Sequence, residues 1–209
     1  MTFSLMTTRL CLLAAVALCF TLGLIQSTIW NGEDTPTWVL SLSAIHTVSA
    51  FLNKTIAEPV GITDYYFFGR MLFLVYLGLF IGLKGWRKNS VTRQAVLFKI
   101  FTTALLIAFI GDLIAYWGGG WFGTDVRFVG FWLAEVPALA IASLSSLAFG
   151  IQSLRHKSTS TIEAMAFIGT PIIVLISTAS FQYMPHGPVF GILLIVLVLS
   201  FSQNLKPPK

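Results

Sequence analysis

The sequence predicts an all-α membrane bundle: a polytopic protein of about six transmembrane helices, with one amphipathic surface helix on the outer face. Three observations carry this reading. Hydrophobic residues make up 56% of the chain against 10% charged, and the mean hydropathy is +0.84, whereas soluble domains carry roughly 25% charge. Apolar runs close to the roughly 20 residues that a bilayer-crossing helix needs recur from end to end. The basic residues gather mostly where those runs begin and end. A chain of 209 residues leaves room for a single integral membrane domain, 1–209, and no separate soluble module. Its net charge of +5 does not point to nucleic acid, because that charge lies at the membrane ends.

The first span covers about 10–29. It follows Arg9 and meets no small-x-small cleavage site before Trp30, so it reads as a retained anchor rather than a cleaved signal. Further on, Trp38, Leu42, Ile45, Ser49 and Leu52 recur at helical spacing, with Ser41, His46 and Asn53 on the other side. That pattern predicts a helix lying on the outer membrane surface, too polar to span. Asp64 is placed to cap the second span, 65–86, which holds Arg70 and a Gly78-x-x-x-Gly82 packing motif.

A basic loop with Lys84, Arg87, Lys88, Arg93 and Lys99 leads to the third span, 96–117, after which Gly118-Gly119-Gly120 is expected to make a hairpin turn. The fourth span, 128–152, contains Pro137 and ends at Arg155-His156-Lys157. Ser160-x-x-Glu163 is a capping box that opens the fifth span, 161–181, with Pro171 at its middle. A turn at Met184–Pro188 precedes the sixth, 188–203, and Lys206 and Lys209 follow it.

Six spans put both termini on one side. The thirteen basic residues then divide ten to three in favour of that side, with only Lys54, Arg70 and Arg127 opposite. The positive-inside rule makes the termini cytoplasmic and the protein a multi-pass component of the cell membrane. Trp30, Trp38, Tyr65, Tyr66, Trp117, Trp121 and Tyr183 collect at the other interface, as aromatic belts do.

The candidate site lies on the hairpin of the third and fourth spans, each of which carries one carboxylate inside its apolar run: Asp112 and Glu135. Residues four apart share a helix face. Ala104 and Ala108 lead to Asp112, and Ala138, Ala142, Ser146 and Gly150 continue the face of Glu135. Small residues at this spacing let membrane helices approach closely, so both acids are expected to point into the bundle. A charge facing lipid costs roughly 2.5–3.5 kcal/mol at a helix centre. Pro137 frees the carbonyl of Leu133 and is expected to kink the helix beside Glu135. Counting 1.5 Å per residue from the outer helix ends, Arg70 lies about 9 Å deep, Asp112 about 8 Å and Glu135 about 10 Å. One guanidinium and two carboxylates at one level form a candidate ligand-binding set, with Tyr116 one turn beyond Asp112 and Arg127 at the rim.

Other chemistry is disfavoured by the residues present. Cys11 and Cys19 stand about 12 Å apart along one helix and cannot pair. No HExxH or GxSxG occurs, a site of Asp112, Glu135 and a histidine lacks ligand spacing, and no transmembrane histidines exist to hold a haem. No cofactor and no metal are expected. Three functions from different classes fit. The first is a protein that binds or passes a small ligand, ion or lipid headgroup through an outward-facing polar pocket, with Arg70 taking an anion and the two acids a cation or proton. The alternatives are an integral membrane enzyme acting on a lipid, with Glu135 or Asp112 as general base, and an accessory or scaffold subunit that docks a membrane-protein partner.

Overall fold

The computed structural model of the chain describes residues 4–29, 43–61, 65–88, 95–180 and 187–202. Every regular element among these is helical. In chain order they are α1 (Leu5–Ile29), α2 (Ser43–Leu52), α3 (Tyr65–Arg70), α4 (Phe73–Lys88), α5 (Ala95–Leu113), α6 (Gly119–Phe122), α7 (Thr124–Phe128), α8 (Val136–His156), α9 (Thr161–Ser180) and α10 (Gly187–Ser202). Wider π turns follow α2 at Asn53–Ala57, join α5 to α6 at Ile114–Gly118, and join α7 to α8 at Val129–Glu135. Two continuous rods result, Val96–Phe122 of 27 residues and Thr124–His156 of 33, and both are long and apolar enough to cross a membrane.

The helices pack as a ring in which α5 lies on α8, α8 on α9, α9 on α10, and α4 touches both α10 and α5; α1 lies along α4 and α10. Glycine allows the α1–α4 contact. Gly78 meets Ala15, Gly82 meets Leu12 and Val196, and Gly85 meets Thr8, so the Gly78-x-x-x-Gly82 motif does close a helix pair. Inside the ring, Trp86 is surrounded by Phe98, Phe149 and Phe167 at ring-centroid distances of 5.4, 6.2 and 5.2 Å.

Several polar groups in this interior meet specific partners. The predicted capping box is present: the Glu163 amide donates to Ser160 Oγ at 3.3 Å and the Ser160 amide donates to Glu163 Oε2 at 2.9 Å. The Trp86 indole adds a 3.2 Å bond to Glu163 Oε1, which fixes α4 to the start of α9. Pro171 has no amide to give the carbonyl of Phe167, four residues earlier. Ser146 of α8 supplies the donor instead, at 3.0 Å, and its hydroxyl also meets that of Thr170 at 2.6 Å.

The structure corrects two expectations. The second apolar run is broken: the helix stops after Arg70, Met71 and Leu72 form a tight turn closed by a 3.0 Å bond from the Leu72 amide to Gly69, and α4 starts at Phe73. The carbonyl of Arg70, left without its helical donor, accepts the Trp117 indole N–H at 3.0 Å. The glycine run is not a turn either. Gly118, Gly119 and Gly120 are helical, and the chain reverses at Gly123, whose φ of +98° suits glycine. Among the described residues the α2 helix covers Ser43–Leu52, and Ala57 beyond it is buried against Leu22, Leu52 and Phe67. Asp64, Arg93, Lys206, Lys209, Trp30, Trp38 and Tyr183 lie outside the described residues, as do His186 and the side chain of His46.

Candidate functional site

Asp112 and Glu135 are buried, at 0% and 1% exposure. Two glycines bring them together where α5 crosses the π turn before α8. A Cβ on Gly111 would fall 2.6 Å from the Glu135 amide nitrogen and 2.8 Å from the Gly130 carbonyl oxygen. A Cβ on Gly130 would fall 2.7 Å from the Gly111 oxygen. Only bare backbones approach so closely. This crossing sets the residue after Gly111, the acid Asp112, beside Glu135, within electrostatic reach.

Tyr76, on α4 and buried, completes the cluster. Its hydroxyl donates to Glu135 Oε1 at 3.1 Å, and Asp112 and Tyr116 act on it electrostatically. Sequence reasoning missed Tyr76. The signal was a tyrosine inside an apolar run, since a buried phenol hydroxyl needs a polar partner. The partner stands 59 positions away, so only the fold could identify it.

The two arginines form a layer beyond the acids. Arg70 Nε donates to the Tyr116 carbonyl at 3.3 Å, one turn past Asp112. A Cβ on Gly120 would lie 2.6 Å from Arg70 Nη2, and one on Gly119 would lie 2.8 Å from Arg127 Cβ. The guanidinium of Arg70 and the stem of Arg127 thus rest on consecutive glycines of α6. The Tyr116 ring packs on Gly69, one residue before Arg70. Asp112, Glu135 and Tyr116 therefore gather around Tyr76. Arg70 joins them through the Tyr116 backbone, and Arg127 lies alongside at the level of Gly119.

Both π segments flank this site: Ile114–Gly118 begins two residues after Asp112, and Val129–Glu135 ends on Glu135 itself. A π turn widens a helix and is frequent at functional positions. The second one also relieves Pro137, whose ring would clash with the carbonyl of Leu133 in a regular helix. Two carboxylates held together away from water cannot both stay ionised cheaply, so the arrangement is suited to a shared proton or small cation, with the Tyr76 hydroxyl as a fixed donor. Among the described residues, no group of three or more His, Cys, Asp and Glu side chains gathers as a metal would require. Comparison with protein-family models, with curated proteins and with solved structures finds no match to this chain.

Proposed function

We propose that the chain is a multi-pass integral membrane protein of about six spans, with both termini cytoplasmic, that binds and passes a small cation, most simply a proton, through the Asp112–Glu135–Tyr76 site. One observation carries this: two carboxylates and a phenol hydroxyl meet inside an apolar bundle at a crossing flanked by two π segments. Ionisable groups inside membrane bundles mark ion pathways and proton relays more often than they mark packing. Arg70 and Arg127 form the outer rim and hold the accompanying anion. The ten-to-three division of basic residues supports the orientation, and the meeting of Arg9 with Phe201, 5.2 Å from guanidinium to ring centre, supports placing these two ends on one side.

Purified chain in liposomes with a trapped pH dye tests this under an imposed potassium diffusion potential. Proton entry is expected for the unaltered chain and is lost in Glu135→Gln and in Asp112→Asn while both variants remain monodisperse. Proton entry no faster than in protein-free liposomes overturns the reading. The full burial of both acids favours a second reading, an accessory subunit whose charges hold helices in register; that reading stands if no flux occurs and the chain is stable only with a partner.

A further inference from the structure

Along the α5–α8 pair runs an open groove of about 600 Å³. Its floor is made by Ala104 and Ala138, both buried, and its walls by larger side chains such as Ile107 and Leu133, which are 47% and 66% exposed. Pro137 also lines it. Small residues on the floor and branched ones on the walls leave a channel that the described residues do not fill. Among the described residues, the lining holds one charged side chain, Lys99, and no carboxylate. Lys99 is exposed and lies near the end where α8 finishes with Arg155 and Lys157, also exposed.

The dimensions point to one occupant. From Val96 to Ile107 the α5 wall rises eleven residues, about 16 Å at 1.5 Å each. One leaflet of a bilayer's hydrocarbon core is about 15 Å deep. The groove therefore has the length of a single lipid tail, with a cation at the headgroup end. We infer that it binds one anionic glycerophospholipid of the cytoplasmic leaflet, an acyl chain lying over Ala104 and Ala138 and the phosphate held by Lys99. A neutral lipid would fill the same channel but gain nothing from the lysine; basic pockets at this level select anionic headgroups.

This rests on the membrane placement proposed above, so the first measurement separates the two. Release of the full-length chain from native membranes by alkaline carbonate overturns the membrane placement and the lipid site with it. With the chain retained, a photoreactive benzoylphenylalanine in place of Ile100, an exposed and already large wall residue, is expected to give a phospholipid adduct by mass spectrometry. A protein adduct, or no adduct, overturns the lipid site alone. Headgroup choice is read by native mass spectrometry with phosphatidylglycerol against phosphatidylcholine. The unaltered chain is expected to prefer the anionic lipid roughly fivefold, as one basic residue near a charged headgroup contributes. Lys99→Gln should abolish that preference while keeping binding, and Thr103→Trp, which fills the channel, should reduce both lipids. An unchanged preference in Lys99→Gln overturns the assignment of the headgroup.

Discussion

Tyr76 and Glu135, 59 positions apart, are joined by a 3.1 Å hydrogen bond in the buried interior. The bond ties α4 to the hairpin that carries both acids, and it fixes the direction of the Glu135 carboxylate. Removing the donor leaves one carboxylate oxygen to find another partner in a place closed to water.

Tyr76→Phe is therefore expected to cost about 1 kcal/mol of unfolding free energy, the upper part of the range for hydrogen bonds between membrane helices. Denaturant titration in mixed micelles measures it. Phe at this position keeps the packing against Phe109, which the native ring meets at 5.6 Å, so a loss several times larger would point to a role beyond the hydrogen bond. In liposomes the same variant is expected to slow proton entry without abolishing it, because both carboxylates remain.

The Gly111–Gly130 crossing should tolerate no side chain. Gly111→Ala drives a methyl against the backbone of the facing segment, where neither partner is the end of a flexible side chain, and a cost of roughly 1–3 kcal/mol is expected from overpacking. Gly118→Ala is the control: its nearest neighbour would be a Val126 methyl at 3.2 Å, a side-chain atom rather than backbone and farther than the contacts at Gly111. Thermal unfolding should rank Gly111→Ala well below Gly118→Ala. Equal melting would mean that the crossing is looser than described.

Ser146 and Pro171 should be coupled. Ser146→Ala takes the donor from the Phe167 carbonyl, which Pro171 has already deprived of its helical one. An unsatisfied buried acceptor costs roughly 1–3 kcal/mol. Pro171→Ala restores an amide at that position, so the double variant is expected to be more stable than Ser146→Ala alone. A double-mutant cycle with no coupling would contradict this assignment.

Much of this arrangement could be read from the residues. The capping box at Ser160 and Glu163, the close helix packing at Gly78 and Gly82, and the helical character of each apolar run follow from local spacing, which a sequence displays directly, whereas the partner helix at Gly78 does not. The break after Arg70 could not be read that way. It depends on Gly69 lying under the Tyr116 ring and on the Trp117 indole reaching the Arg70 carbonyl, contacts across more than forty positions. Gly118–Gly120 misled for a related reason: glycine marks turns and close approaches alike, and only the presence of Arg70 and Arg127 against these residues shows which applies. Likewise, Ala104 and Ala138 as a small-residue face indicated contact between α5 and α8. They gave no sign that one edge of that contact stays open.

The most direct measurement is of the buried carboxyls themselves. A membrane-soluble carbodiimide couples to a carboxyl group that holds a proton in apolar surroundings, and peptide mass spectrometry shows where. Glu163 is an internal control, because it is equally buried but held by Ser160 and Trp86. The proposed site predicts an adduct on Asp112 or Glu135, none on Glu163, and none at either position in the Asp112→Asn, Glu135→Gln double variant. Labelling of Glu163 as strong as that of whichever of Asp112 and Glu135 reacts, or no labelling of Asp112 and Glu135 at all, would contradict a working proton site at this crossing.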